Sequence, residues 1–176
     1  MTGTIEARLA ELGITLPEAP NPVANYVPYA ISGNLLFISG QVAKGADGKI
    51  VTGALGQDVD IDAGQAAARL CALNLLAQAK AALGSLDRIV QVVRLTGFVN
   101  ATPAFTDHPK VVNGASDLMV EVLGDKGRHT RAAVGVSSLP PGSAVEVDAT
   151  IAITGRGHAP SRLPAPPRPP RAARRG

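Results

Sequence analysis

The sequence predicts an α+β fold in which two helices cover one face of a mixed β-sheet. Three observations predict it. An Ala-rich stretch with helical periodicity occupies 62–83, a β-branched run of strand length occupies 88–99, and pairs of strand-like segments stand at both ends of the folded region. The resulting order, after a short N-terminal helix, is ββ-α-β-α-ββ.

The first segment, "TGTIEARLAELGITLPEAPNP", places Ile5, Leu9 and Leu12 at helical spacing. Thr2 or Thr4 is the expected N-cap and Gly13 the expected stop, followed by a Pro-punctuated connector. "ANYVPYAISGNLLFISGQVA" then reads as strand, Ser-Gly-Asn turn, strand. "AKGADGKIVTGALGQD" is loop with room for one short strand. In "DAGQAAARLCALNLLAQAKAAL" (62–83), Asp62 is the expected N-cap and Gln65 its capping-box partner, with Leu70, Leu73, Leu76 and Ala77 on one face. The opposite edge is largely Ala, which permits close approach to a sheet. Gly84 ends this helix, "RIVQVVRLTGFV" is a buried strand, and a second helix is expected near 109–123.

The last stretch, "HTRAAVGVSSLPPGSAVEVDATIAI" (129–153), reads as two short strands around a turn. In the final strand Val145, Val147, Ala149 and Ile151 point one way, and Ala144, Glu146, Asp148 and Thr150 the other. In the preceding strand Arg131, Ala133 and Gly135 oppose Ala132, Val134 and Val136. Assigning the small and polar sets to the sheet face away from the helices predicts a face buried against other subunits, because Gly and Ala permit close contact.

Composition narrows the function classes. No basic-apolar-small N-terminus and no long apolar run is present, so a cytoplasmic protein without a membrane segment is expected. The single cysteine, Cys71, sits among apolar residues and reads as a plain buried thiol. The net charge of +3 points toward nucleic acid until its distribution is considered. Residues 155–176, "GRGHAPSRLPAPPRPPRAARRG", carry six of the 17 Lys and Arg and no acid, which leaves 11 bases against 14 acids in 1–154, a net charge of −3. The tail is expected to be disordered, and its lack of aromatics removes the stacking that single strands favour. Nucleic acid is therefore not the expected partner.

Several chemistries lack their residues. His108, His129 and His158 show no metal-ligand spacing, the "SGQVAKGADGK" glycines lack a P-loop ending, and Ser39 lacks a nucleophile elbow. What remains is Tyr26, Ser39, Asn113, Arg131 and Glu146 in strand and turn contexts. The planar fork of arginine suits a carboxylate, and a half-buried glutamate suits proton transfer. On spacing alone Arg131 and Glu146 fit either that chemistry or a structural ion pair across a subunit boundary.

"NYVPYAISGNLLFISGQVA", the Ala-rich helix, "VVRLTGFVN" and "TRAAVGVSSLPPGSAVEVDATIAI" together resemble the Rid family, the reactive intermediate deaminases also called YjgF-like or L-PSP proteins. The likeness covers about residues 22–153 and divides the chain into an N-terminal helix and connector (1–21), a Rid-like domain (22–154) and the tail (155–176). It implies a chorismate mutase-like fold assembled as a homotrimer, sheets inward and helices outside, with sites in the clefts between subunits. It also implies that the last strand inserts between earlier strands, where a local reading pairs it with its predecessor.

The implied activity is hydrolysis of small 2-imino or 2-enamino acids, such as 2-aminoacrylate, to 2-keto acids and ammonia, without metal or cofactor. Motif for motif, Arg131 falls on the arginine that holds the substrate carboxylate and Glu146 on the acid that handles protons and positions water. Tyr26 falls on a tyrosine lining the cleft, Ser39 and Gly40 on contacts of the strand end, and Asn113 on an amide from the second helix. Ala133 stands where a common member has a cysteine, and Gly135 where it has an acid. The extra N-terminal helix and "VANYVPY" resemble a divergent branch labelled putative endoribonuclease or chorismate mutase-like, and that helix is placed to cover the cleft mouth. Two other readings stand beside the deaminase: a trimer that holds a small carboxylate without turnover, and a ribonuclease, which the acidic 1–154 region disfavours. Chorismate mutase activity follows only from the fold name.

Overall fold

The elements run α1 (Thr4–Glu11), β1 (Tyr29–Ser32), β2 (Leu35–Val42), α2 (Ile61–Leu83), β3 (Ile89–Asn100), α3 (His108–Leu123), β4 (Thr130–Val136) and β5 (Val145–Ile153). This is a computed structural model whose described residues are 4–20 and 25–155, so the tail reading falls, Gly155 apart, outside them. The order is the expected one. Among the described residues no helix is long and apolar enough to cross a membrane.

The sheet has the order β1-β2-β5-β3-β4. β3 and β4 are parallel and every other pair is antiparallel. β5 therefore lies in the middle and does not form a hairpin with β4. The connection after β4 explains this. It crosses the end of β3, where Asn100 N–H bonds to the Ala144 carbonyl, and Ala144 N–H bonds to the Val51 carbonyl. The buried Ser143 hydroxyl accepts from Ala43 N–H and donates to the Val145 carbonyl. The chain thus re-enters the sheet beside β2.

Both helices cover one face. Val145, Val147, Ala149, Ile151 and Ile153 of β5 are buried, alternating with half-buried residues on the other face. They meet Cys71, Leu75 and Leu76 of α2, while Leu95 and Val99 of β3 share the same core with Val112, Leu118 and Met119 of α3. Each fully buried Leu or Ile side chain contributes about 1.5–3 kcal/mol, less the entropy of ordering it. The two helices touch at backbone level. A Cβ added at Gly114 of α3 would meet the Gln65 carbonyl oxygen of α2 at 2.0 Å, so only glycine fits there.

Three local expectations are corrected. The N-cap of α2 is Asp60, whose carboxylate accepts from Ala63 N–H, and Asp62 lies in the first turn. Gln65 makes no capping box; its side chain donates to the Lys110 carbonyl at 2.8 Å, tying α2 to α3. The Ala edge of α2 is buried as expected, at Ala67, Ala68, Ala72 and Ala79; of the leucine face, Leu76 and Ala77 are buried and Leu70 and Leu73 half-buried. Thr4 lies inside α1 and is not its N-cap, while Thr2 falls outside the described residues; the first N–H groups of α1 are satisfied from a distance, the Asp87 carboxylate accepting from Thr4 and Ile5 N–H at 2.8 and 2.9 Å. Gly13 ends that helical segment at φ +67° as expected.

α1 packs on α3 and on the short turn Leu86–Arg88 before β3 rather than over the sheet, with Arg8 donating to the Glu121 carbonyl. The connector behind it runs along α2 past Ala77 and Lys80. It ends with the Pro20 carbonyl accepting from the buried Gln78 side chain at 2.6 Å.

Candidate functional site

The expected site residues fall into two groups. The first surrounds Glu146 in a cleft of about 410 Å³ lined by Tyr26, Ser39, Gly40, Gln78, Pro140 and Pro141 among others. The cleft forms at a β-bulge. Ile38 pairs with Ala149 and Gln41 with Val147, so Ser39 and Gly40 together oppose Asp148. The extra residue turns β2 and opens space beside Glu146. Ser39 holds the segment before β1 in place, its hydroxyl donating to the Val27 carbonyl at 2.7 Å and its N–H to the Pro28 carbonyl. That anchorage puts Tyr26, half exposed, at the cleft rim.

Gly40 is required by Glu146. A Cβ at position 40 would stand 2.0 Å from Glu146 Oε1, so the carboxylate lies against bare β2 backbone. Half-burial raises the Glu146 pKa above the ordinary carboxylate value, and the negative charge of Asp148 adds to the shift. The cleft floor uses residues the sequence reading passed over. Gln41 turns its amide back onto the Ser39 and Gly40 carbonyls. Asn74 donates to the Lys44 carbonyl at 3.0 Å, and Gln78 to Pro20. Two polar residues four apart on an otherwise Ala-rich helix were the available signal, since a buried amide needs partners. Cys71 stays outside this chemistry: its thiol is buried, burial pushes its pKa up, and the Glu146 charge raises it further.

The second group surrounds Arg131. Its Nη1 donates to Asn113 Oδ1 at 2.8 Å and to Ser116 Oγ at 3.1 Å, and Nη2 approaches the Pro109 carbonyl at 3.4 Å. Nη1 is thereby saturated. Of the five guanidinium N–H groups, Nε–H and one on Nη2 keep no partner among the described residues; the Nε–Nη2 edge, whose side-on fork matches a carboxylate, thus carries only the long contact to Pro109. Ser116 was also passed over, and His129 was weighed only as a metal ligand. Ser116 Oγ lies 2.9 Å from His129 Nε2, and His129 Nδ1 lies 2.6 Å from the Gly127 carbonyl. Burial lowers the His129 pKa, the Arg131 charge adds to that, and the Gly127 contact opposes it.

The assignment of Arg131 to the open face is corrected. Arg131 is level with Leu95 and Ala133 with Gly97, on the helix-facing side of β3 and β4, and its partners all belong to α3. β4 is an edge strand, so an arginine there reaches past the core to the surface. Glu146, level with Phe98, projects from the other side. Phe98 is in turn level with Val134, so Arg131 stands three residues along and two strands across, roughly 14 Å away from strand spacings. Within one chain the two charges do not pair. The ion pairs among the described residues are Arg8–Glu11, Arg69–Glu121, Lys110–Asp107 and Arg128–Asp125. Ala133 is half-buried between Arg131 and Gly135, and the His108 ring covers Gly135, where a Cβ would meet its Nε2 at 2.3 Å.

Known proteins share this architecture. Residues 6–148 match the family described as YjgF/chorismate mutase-like, putative endoribonuclease. Protein TCP17 of Trypanosoma cruzi is 52% identical over 151 residues, 85% of this chain and 94% of that protein. The crystal structure of Atu1372 from Agrobacterium tumefaciens, a protein described as of unknown function, is 56% identical with a TM-score of 0.79, covering 85% of this chain and 92% of that one. A structure from Shewanella oneidensis described as a putative endoribonuclease is 40% identical with a TM-score of 0.82, covering 86% and 100%. With the family's motifs on the strands that carry the two polar groups, the chain belongs to the YjgF/chorismate mutase-like, putative endoribonuclease family.

Proposed function

We propose that this protein hydrolyses small 2-imino and 2-enamino acids to 2-keto acids and ammonia, in a cleft that one copy cannot complete alone. The observation that carries the reading is the separation just described. A free arginine fork and a carboxylate of raised pKa stand on opposite faces of one sheet, too far apart to meet one small molecule. A second copy placed against the open face brings the Arg131 wall of one subunit to the Glu146 wall of the next.

In this reading the Arg131 fork holds the substrate carboxylate, and Asn113 and the main chain at Ala133 shape that wall. Tyr26, Ser39 and Gly40 line the other. Glu146 takes a proton from water as its oxygen adds to the imine carbon. It returns that proton to nitrogen to give a carbinolamine, then moves the carbinolamine hydroxyl proton to nitrogen as the C=O bond forms and the C–N bond breaks, so that ammonia leaves the 2-keto acid. An enamine such as 2-aminoacrylate first takes a proton on its terminal carbon and becomes the imine. The carbon is already electrophilic, so position and one acid-base group supply the needed catalysis.

Imines generated in place by an amino-acid oxidase test this reading directly. Hydrolysis faster than the spontaneous rate is expected with wild type. A rate equal to background across several imines, with calorimetric binding of a keto acid retained, would instead favour a carboxylate-holding protein without turnover.

Two further results are expected. Phe37 and Val134 on the open sheet face are each 42% exposed, an apolar surface suited to a subunit contact. Light scattering should give the mass of a homotrimer, and a monomer at micromolar concentration would remove the shared cleft. Gly40→Ala should keep the fold but displace the Glu146 carboxylate, lowering kcat by about tenfold to a hundredfold. Unchanged kcat in that variant would separate Glu146 from the chemistry.

A further inference from the structure

Arg131 is held by a chain of hydrogen bonds whose direction can be worked out. The Gly127 carbonyl can only accept, so the His129 proton sits on Nδ1, which donates to it at 2.6 Å. Nε2 of the neutral ring is then an acceptor, and the Ser116 hydroxyl donates to it at 2.9 Å. With its proton committed, Ser116 Oγ presents lone pairs to Arg131 Nη1 at 3.1 Å. A helical serine otherwise turns its proton onto the carbonyl one turn back. Here the histidine draws the proton outward and fixes the oxygen as an acceptor. Asn113, three residues before Ser116 on α3, takes the other Nη1 proton. Both bonds fall on the side of the guanidinium away from the fork.

We propose that Ser116 and His129 are positioning residues that lock the Arg131 guanidinium with its Nε–H and Nη2–H fork presented for carboxylate capture. The inference rests on the reading of Arg131 as a carboxylate anchor. It adds two residues to the site and gives each a direction of donation. A neutral His129 is needed because a doubly protonated ring would donate to Ser116 and release its hydroxyl proton to other acceptors. The proline-free run from Gly127 to Arg131 delivers both side chains: His129 stands two residues before Arg131, and side chains two apart in extended backbone share a face.

The test is calorimetric binding of 2-oxobutyrate, with no turnover required, to wild type, Ser116→Ala, Ser116→Thr and His129→Phe, each first shown to be folded by thermal denaturation. Ser116→Ala removes the acceptor, Ser116→Thr restores a hydroxyl at a half-buried position, and His129→Phe keeps the ring volume without its nitrogens. Kd is expected to rise about fivefold to tenfold in Ser116→Ala and His129→Phe, and to return toward wild type in Ser116→Thr. Equal affinity in all four proteins would overturn the relay and leave Arg131 as the anchor. Failure of wild type itself to bind 2-oxobutyrate would overturn the anchor, and the relay with it.

Discussion

Arg131→Ala is expected to lower kcat/KM for 2-imino acid hydrolysis by about a hundredfold to a thousandfold, the loss that follows when a buried charge-assisted pair with a carboxylate is removed. The fall should appear mainly in KM, because the carboxylate is held alike in ground and transition states. Arg131→Lys should recover little, since an ammonium cannot replace two parallel N–H groups. Thermal stability should change little in either variant. Asn113 and Ser116 are half-buried and Pro109 is exposed, so water can replace the lost bonds. Steady-state kinetics beside a melting curve checks both statements. A wild-type KM in a folded Arg131→Ala protein would remove arginine from the site.

Glu146→Gln is expected to lower kcat by about 10²-fold to 10⁴-fold with KM nearly unchanged, the contribution of positioned acid-base groups. Its effect on stability should have the opposite sign. Burial, then the charge of Asp148, raises the Glu146 pKa in the folded chain, so over the window between the unfolded and folded values the folded state binds more protons. Stability therefore falls as pH rises through that window. Glutamine lacks the charged form, so the variant should melt above wild type at neutral pH, and the gap should close below the ordinary carboxylate range. Melting curves at pH 4 and pH 8 measure this. An ion pair supporting the fold would give the reverse, with Glu146→Gln melting below wild type at pH 8.

Element order was legible in the sequence because each element carries a local signal. The β-branched run at 88–99, Gly13 and Gly84 as stops, and the strict alternation of 145–153 report backbone preferences that act over a few residues. Cap assignment slipped where two candidates lay close together. Asp60 and Asp62 are both acceptable, and the geometry of the incoming loop selected Asp60. The Ala edge of α2 was legible as the side that approaches the sheet, because a sheet packs closest where side chains are small.

The candidate site was legible as a set of polar residues and not as an arrangement. Arg131 and Glu146 stood out because a charge on an apolar strand costs free energy unless something compensates it. Alternation gave the two sides of β4 but not which one faced the helices, since Ala, Val and Gly distinguish the sides weakly. Ser116 and His129 carried no local signal at all. A serine in a helix and a histidine before a strand become a relay only when α3 crosses the end of β4.

By itself, then, the sequence determined the helices, the strands, the acidic balance of residues 1–154 and the polar residues available for chemistry, because these depend on composition and short-range periodicity. Tertiary structure alone decided that β5 enters the middle of the sheet, that the bulge at Ser39 and Gly40 gives Glu146 a cleft, and that Arg131 faces the other way. Those outcomes follow from pairings between residues far apart in the chain, fixed by the combined packing and hydrogen bonding of elements whose individual preferences leave them open.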